Sequence, residues 1–238
     1  MFIMRLDKFL CETTALSRSE AKKAIKNGEI KVNDYVVNKA ELNINEKADS
    51  IIFNGRSLRY EQYVYFMLYK PKDCVSATND NVSKTVIDVL NEKDYKDLFP
   101  VGRLDKDTTG LLLITNDGDL SHRLLSPKKL VYKTYRATCD KDITKKMCDM
   151  LEEGVDIGDE TNTAPARILS FDKNVIEISI TEGRFHEVKR MLHAVGNEVV
   201  ELERLSMGTL ELDKSLKPGE HRRLSDEEVK KLNELVGR

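Results

Sequence analysis

The apolar residues of this 238-residue chain come in short runs, and that feature restricts the folds it can adopt. The longest runs, such as Leu111–Ile114, suit single strands and fall far below the roughly 20 residues that span a bilayer. Hydrophobic residues still make up 40% of the chain, enough for buried cores, and the length is comfortable for two domains. We therefore expect an α+β protein of short helices and many strands, without a membrane segment.

The first 60 residues predict two helices followed by short strands. Apolar positions 6, 9 and 10 form one helical stripe. A second helix is expected between a capping box, Ser17 with Glu20, and Gly28 as its C-terminal cap. Three strands and their turns then follow, at Ile30–Val32, Tyr35–Val37 after the turn Asn33-Asp34, and Ser50–Phe53 before the turn Asn54-Gly55.

Positive charge is concentrated in this N-terminal segment, although the whole chain carries a net charge of −2. Eleven Lys and Arg residues against eight Asp and Glu residues give residues 1–60 a net charge of +3. Lysine-rich helix faces are often merely solvated, and the pattern alone does not distinguish that reading from nucleic-acid binding.

A resemblance favours RNA binding for this segment. Residues 4–58 include Met-Arg-Leu-Asp-Lys-Phe-Leu, Ser-Arg-Ser-Glu-Ala-Lys-Lys-Ala-Ile and Gly-Glu-Ile-Lys-Val-Asn, and they resemble the RNA-binding domain of ribosomal protein S-four. The resemblance implies phosphate contacts that position RNA without reading its sequence. The residues expected to make them are Arg5, Lys8, Arg18 and Lys22.

A domain boundary is expected near Tyr60. Residues 58–62 are polar and lack periodicity, and a new strand, Val64–Tyr69, follows before Pro71 ends it. We therefore divide the chain into an RNA-binding domain at residues 1–60 and a second domain at residues 61–238.

Asp105 is the strongest candidate for a chemical role. It lies in a glycine-bounded loop before the apolar strand Leu111–Ile114, and loops on rigid scaffolds often carry function. Most loop aspartates, however, only cap turns. The surrounding string decides the interpretation, because Gly-Arg-Leu-Asp-x-Asp-Thr-Thr-Gly-Leu-Leu-Leu-Ile-Thr-Asn-Asp-Gly at residues 102–118 resembles the signature of the RsuA-type pseudouridine synthases.

Further motifs of that family follow in order along the chain. They are Tyr-Phe-Met-Leu-Tyr-Lys-Pro at 65–71, Leu-Ser-His-Arg-Leu at 120–124, Lys-Thr-Tyr at 133–135 and Glu-Gly-Arg-Phe-His-Glu-Val-Lys-Arg-Met at 182–191. The resemblance implies a mixed, largely antiparallel sheet with the active-site cleft across it. It also implies a cofactor-free and metal-free isomerisation of uridine with Asp105 as the catalytic carboxylate.

Two further catalytic residues are carried over from the resemblance. Lys189 aligns with the cation that keeps the buried carboxylate ionised, and Arg190 is the rival, because neighbouring helical residues point about 100° apart. Tyr135 aligns with the tyrosine that stacks on the target base, although a strand tyrosine alternating with Lys133 is otherwise read as a core residue. Arg184 and Arg103 are expected RNA contacts.

Within the family, the motifs at residues 107–109, 121–123, 126–127 and 133–135 favour the branch that modifies 16S rRNA. The expected partner is thus 16S rRNA or a small-subunit assembly intermediate, bound by a monomer. The alternatives are the same chemistry on 23S rRNA, or a non-catalytic RNA-binding assembly factor. A hydrolase is disfavoured, because no paired acid stands at a recognisable spacing from Asp105.

A cytoplasmic location is expected from two features of the sequence. The N-terminus lacks the basic-then-apolar layout of a signal peptide. The four cysteines have no CxxC or metal-knuckle spacing, so they are expected to be reduced packing thiols.

Overall fold

The computed structural model describes residues 3–46 and 48–238. Met1, Phe2 and Lys47 lie outside the described residues, so the structure says nothing of the first two residues of the segment searched for a signal peptide. The chain separates into two compact units. One contains the residues up to Val64 together with Glu92–Asp97, and the other contains Tyr65–Asn91 and Leu98–Arg238.

The N-terminal unit contains two helices and two small sheets. Its helices are α1 (Leu6–Thr13) and α2 (Arg18–Lys26). Its strands are β1 (Ile3–Arg5), β2 (Ile30–Val32), β3 (Tyr35–Val36), β4 (Asn43–Asn45), β5 (Ile51–Phe53) and β6 (Arg56–Leu58). Strand β1 pairs with β4, and the other four form a sheet in the order β3-β2-β5-β6. Both helices pack their apolar stripes onto one core built around Phe9, Leu10 and Ile25.

Local sequence signals explain most of this unit. The Ser17–Glu20 capping box is present, and Gly28 adopts a positive φ of 74° beyond the end of α2. Asn33 and Asp34 both have positive φ values, as a tight hairpin turn requires. Strands β1, β4 and β6 were not predicted, and Leu58, assigned to the linker, belongs to β6.

The larger unit supplies the remaining elements. Its strands are β7 (Tyr65–Lys70), β8 (Phe99–Pro100), β9 (Thr109–Thr115), β10 (Lys133–Cys139), β11 (Arg167–Asp172), β12 (Val175–Ile180), β13 (Val199–Met207), β14 (Leu210–Glu211) and β15 (His221–Arg223). Its helices are α3 (Val86–Leu90), α4 (Gly118–Leu125), α5 (Lys145–Glu153), α6 (Glu187–Ala194) and α7 (Asp226–Val236).

One mixed sheet organises the larger unit. Its strands lie in the order β11-β12-β10-β13-β9-β7-β15, with β14 added beside β13 and β8 beside β9. The pairing of β13 with β9 is parallel, whereas the other neighbouring strands that the structure describes in this sheet are antiparallel. The prediction of an α+β fold with a mixed, largely antiparallel sheet is confirmed.

The parallel pair brings β9 and β13 into unusually close contact at Gly110. A Cβ atom at this position would lie 2.3 Å from the backbone oxygen of Arg204, and the φ of Gly110 is +106°. No side chain fits that space, and few residues other than glycine adopt that conformation. The glycine of the Thr-Thr-Gly motif is therefore required by the packing of two strands.

Helices α4 and α7 cover one face of the sheet. Leu120, Leu124, Leu232 and Val236 pack with Met67 and other strand residues into a single buried core. Helix α7 begins at a capping box formed by Ser225 and Glu228. The four cysteines are free and buried. No helix among the described residues is long and apolar enough to cross a membrane.

Candidate active site

Asp105 lies in the loop between β8 and β9, and a buried lysine holds the backbone of that loop. The ammonium of Lys70, at the end of β7, donates hydrogen bonds to the carbonyl oxygens of Asp105 and Thr108, both at 2.9 Å. It also donates to the carbonyls of Pro71 and Lys106. Lys70 is completely buried, and burial lowers its pKa. The loop is therefore held by a buried donor that satisfies several carbonyls at once.

A serine holds the same loop from the other side. The hydroxyl of Ser76 donates to the carbonyl oxygen of Leu104 at 2.8 Å and accepts from the amide of Leu104 at 3.0 Å. Together with Lys70, it restrains the backbone on both sides of the Asp105 carboxylate. Such anchoring keeps a reacting group in one geometry.

The Asp105 carboxylate lies in a cleft. The cleft is lined by Arg103, Leu104, Asp105, Thr108, Tyr135, Ile180, Gly183, Arg184, His186, Glu187, Val188 and Leu202. The Asp105 side chain is 28% exposed. Apolar side chains and charged groups share the lining, so the cleft can hold a small ligand that combines a flat apolar face with polar edges.

Lys189, and not Arg190, is the cation beside Asp105. The ammonium of Lys189 lies 3.1 Å from Oδ2 of Asp105 and 2.7 Å from Oδ1 of Asp107. Burial acts to lower the pKa of Lys189, but its hydrogen bonds to the two aspartates outweigh that effect and raise it. Lys189 is thus held as a cation between two carboxylates.

Arg190 takes a structural position on the other side of α6. Its guanidinium donates to the carbonyl oxygen of Ile157 and forms an ion pair with Asp159 at 2.5 Å. It also donates to the carbonyl oxygen of Phe185 at 3.0 Å. Through these contacts, Arg190 connects α6 to the loop that contains Ile157 and Asp159 and to the loop that contains Phe185.

Arg184 lines the cleft, but its guanidinium is engaged by the protein. It forms ion pairs with Glu182 at 2.9 Å and Asp159 at 3.5 Å, and it donates to the carbonyl oxygens of Thr161 and Asn162. A phosphate would have to replace some of these partners. Its role as an RNA contact stays a prediction.

Tyr135 lies in β10, and its ring lines the cleft near Asp105. The residue is buried and is paired in the sheet with Arg204 on β13 and Ile178 on β12. Packing in the core and a place in the cleft are therefore compatible for this tyrosine, since a mostly buried ring contributes one wall to the cleft. Sequence reasoning alone could not separate them.

Several site residues were missed by sequence reasoning. His186 Nε2 lies 3.5 Å from Oδ1 of Asp105, and the residue directly precedes α6, three positions before Lys189. Its place beside Lys189 in the same motif was the available signal. Lys70 and Asp107 were also missed, although Lys70 directly precedes the strand-ending Pro71 and Asp107 belongs to the same string as Asp105.

Glu187 is a buried carboxyl group in the cleft wall. Burial raises its pKa to about 7, and the nearby Glu182 adds to the effect. Its Oε2 accepts a hydrogen bond from the backbone amide of Arg184 at 2.9 Å. Lys133 is buried close by, and it donates to the carbonyl oxygens of Thr181 and Glu182. The loop before α6 is therefore held by buried ionisable groups.

Two buried polar atoms near the cleft have no hydrogen-bond partner within the part of the chain that the structure describes. They are Oγ1 of Thr108, which lines the cleft, and Nη2 of Arg204, the strand partner of Tyr135. Unpaired buried polar groups are rare and costly. Both stand beside the residues that surround Asp105.

The predicted RNA contacts of the N-terminal unit differ in their engagement. Lys8, Arg18 and Lys22 are exposed on α1 and α2. Arg5 instead donates two hydrogen bonds to the buried Asp7, at 3.0 and 2.7 Å, and lowers the pKa of that carboxyl group. Arg103 is exposed at the rim of the cleft in the larger unit.

Comparison with known proteins identifies two families in this chain. Residues 64–194 match the RNA pseudouridylate synthase family, and residues 4–49 match the S4 domain. A ribosomal small subunit pseudouridine synthase A of Vibrio vulnificus is 42% identical over 229 residues, covering 95% of this chain and 98% of the relative. A ribosomal large subunit pseudouridine synthase B of Bacillus subtilis is 38% identical over 238 residues, covering 98% and 96%.

A solved structure described as a pseudouridylate synthase shares the architecture, with a TM-score of 0.69 and 39% identity. The alignment covers 96% of this chain and 99% of that one. An enzyme that modifies RNA is therefore the class defined by the fold and the comparisons. This chain belongs to the RNA pseudouridylate synthase family and carries an N-terminal S4 domain.

Proposed function

We propose that this protein converts one uridine of 16S rRNA to pseudouridine, with Asp105 as the catalytic carboxylate. The Asp105–Lys189 ion pair, at 3.1 Å in a cleft walled by Tyr135, is the observation that carries the proposal. The reaction breaks the glycosidic N–C bond, rotates the uracil and rejoins it through carbon. It requires an ionised carboxylate beside an apolar site for a base.

Lys189 holds the Asp105 carboxylate in place. Its ammonium lies 3.1 Å from Oδ2 of Asp105 and supplies a fixed positive charge beside the reacting group. Because Asp107 shares the ammonium, the cation stays in place while the charge on Asp105 changes during the reaction. The carboxylate attacks the sugar carbon or the base, or it assists elimination to a glycal.

Tyr135 forms the wall against which the uracil ring lies. A uracil stacked within RNA is out of reach of Asp105, so the target nucleotide is flipped into the cleft or lies in an open segment. Stacking on a tyrosine ring contributes about 1–3 kcal/mol and offsets part of the cost of flipping.

The N-terminal segment, residues 1–60, positions the RNA, and residues 61–238 carry out the chemistry. Support comes from the match to the S4 domain and from the exposed cations Lys8, Arg18 and Lys22. The choice of 16S over 23S rRNA rests on the Vibrio vulnificus relative and on the sequence motifs at residues 107–109 and 133–135.

The test is pseudouridine mapping on purified 16S and 23S rRNA transcripts incubated with the purified protein. We expect one modified uridine in 16S rRNA. The Asp105→Asn variant should lose all product yet bind the transcript nearly as well, because shape is kept and charge is lost. Asp172→Asn, at the exposed end of β11, is the matched control and should remain active.

The outcomes separate the alternatives. Product in 23S rRNA alone would show that the protein modifies the large-subunit RNA, and it would refute the proposed substrate. Tight binding to rRNA without product from either transcript would favour a non-catalytic assembly factor. An active Asp105→Asn variant would refute the assignment of the carboxylate.

A further inference from the structure

Phe185 is an exposed aromatic residue at the rim of the cleft. Its side chain lies in the loop between β12 and α6 and is 73% exposed. The ring stacks on the imidazole of His186, with centroids 3.8 Å apart and planes inclined by 18°. His186 itself lines the cleft and lies 3.5 Å from Asp105. The two rings thus form a short stack that runs outward from the catalytic carboxylate.

The backbone holds this aromatic pair in place. His186 has the left-handed φ of 50° and ψ of 34°, a conformation that costs free energy in a residue other than glycine. Its carbonyl oxygen accepts from the amide of Arg190 at 2.9 Å, and the carbonyl of Phe185 accepts from the Arg190 guanidinium at 3.0 Å. Because Asp159 fixes Arg190 in turn, the rings are oriented before any ligand arrives.

A large apolar ring that is exposed beside the cleft, in a restrained loop, is available to stack on a flat ligand. Nucleobases suit such a ring, since every base has a π-face and stacks on aromatic side chains without sequence preference. When a uridine is flipped into the cleft, the base beside it loses a stacking neighbour. A ring at the rim of the cleft is placed to replace that neighbour.

We propose that the Phe185–His186 pair is a stacking platform for the nucleotide that flanks the target uridine, with the flanking base lying on the open face of Phe185. The inference rests on the proposed function, because it requires a uridine at Asp105. It adds an RNA contact of the larger unit that is aromatic and independent of phosphate. The contact lowers the cost of flipping by replacing the lost base stack.

The test uses single-turnover kinetics on a 16S rRNA fragment that the wild-type protein modifies. Phe185→Leu should lower kcat/KM by about 5- to 150-fold, the range for the loss of one base–aromatic stack. Phe185→Tyr keeps a stacking ring and should stay within about threefold of the wild-type value. Phe171→Leu, at a phenylalanine that is 41% exposed on β11, is the matched control and should have no effect.

A double-mutant cycle identifies the contact. An abasic nucleotide is placed on the 5′ or the 3′ side of the target uridine, and each substrate is combined with wild-type protein and Phe185→Leu. We expect the effect of Phe185→Leu to disappear on one of the two abasic substrates, because the partner of the ring is already missing. An undiminished effect on both substrates, or no effect on the intact fragment, would overturn the platform. Absence of wild-type product would instead contradict the proposed function.

Discussion

At the scale of single residues, the site is defined by which cation faces Asp105. Lys189 and Arg190 are adjacent on α6, yet the first contacts Asp105 and Asp107 while the second contacts Asp159 and backbone carbonyls. The two cations therefore have separable roles. Lys189 lies beside the proposed catalytic carboxylate, and Arg190 holds the loops around α6.

Replacing each cation by methionine separates these roles. Lys189→Met should lower single-turnover rates by about 100-fold or more, because the site loses the preorganised positive charge that contacts Asp105. Arg190→Met should lower turnover much less while reducing the free energy of unfolding, because Asp159 and the carbonyl of Ile157 lose their partner. Rates on bound RNA and denaturant titrations of both variants provide the measurement. The assignment is wrong if Arg190→Met shows the larger kinetic loss.

The raised pKa of Glu187 makes the free energy of unfolding depend on pH. Burial raises its pKa from 4.5 in the unfolded chain to about 7 in the folded protein. Between these values the unfolded chain releases the proton while the folded protein keeps it, so the free energy of unfolding falls as pH rises. The contribution is present below about pH 4.5 and is lost as pH increases through about 7.

Glu187→Gln removes this dependence, since an amide stays neutral and its oxygen still accepts from the amide of Arg184. The variant should match the wild type near pH 4.5 and be more stable at pH 8, by on the order of 3 kcal/mol. Denaturant titrations across this range measure the difference, with the exposed Glu160→Gln as control. A difference that does not grow with pH would show that Arg184 and Lys133 keep Glu187 ionised throughout.

At the scale of elements, the Asp105 loop depends on a residue of another strand. Lys70 lies at the end of β7, and its ammonium donates hydrogen bonds to the carbonyl oxygens of Asp105 and Thr108. The loop has no regular secondary structure of its own to satisfy these carbonyls. The position of the Asp105 carboxylate is thus determined by strand β7 as well as by the signature string.

Lys70→Met tests this dependence. Several buried carbonyls would lose their donor, so we expect a loss of about 3 kcal/mol in the free energy of unfolding. The turnover number should fall as well, since Asp105 is no longer held in one geometry. Lys72→Met, at an exposed lysine paired with Glu201, is the control and should change neither quantity measurably. Wild-type stability in Lys70→Met would show that the loop holds its own conformation.

At the scale of the whole molecule, the N-terminal unit is built from two separate stretches of the chain. It includes Glu92–Asp97 as well as the residues up to Val64. Within it, the ammonium of Lys96 donates to the carbonyl oxygen of Cys11 at 2.6 Å. Deleting residues 1–60 would leave this distant segment without its partners, so point substitutions are the cleaner test of RNA binding.

The exposed cations Lys8, Arg18 and Lys22 provide that test. Their triple replacement by glutamine should weaken RNA binding and make its salt dependence shallower by about 2–3 logarithmic units per unit of log salt. Rates on bound RNA should change much less than KM. Arg5 is left intact because Asp7 would otherwise be buried without its cation.

The matched control replaces Lys214, Lys230 and Lys231, which are exposed in the larger unit, and so changes the net charge equally. An identical salt slope in wild-type protein and in the Lys8, Arg18 and Lys22 variant would mean that these cations are only solvated. RNA binding would then have to come from the larger unit.

Local patterns were sufficient for much of the architecture. The capping box at Ser17, the Gly28 cap and the Asn33-Asp34 hairpin turn are each contained within about a dozen residues, and all are present. Their energetics are local, so the sequence alone predicts them. The resemblance over the signature string correctly indicated the family as well.

Only the tertiary structure could decide which distant groups meet at Asp105. Lys189 is 84 positions from Asp105 in the sequence, and Lys70 comes from strand β7, which precedes the Asp105 loop in the chain. The segment Glu92–Asp97 belongs to the N-terminal unit, although it is separated from the rest of that unit in the chain. Helical geometry left Lys189 and Arg190 as equal candidates, because it gives the angle between them and not the direction of the site. That direction depends on the parallel pairing of β9 with β13 and on the approach of α6, which are long-range contacts that no local pattern encodes.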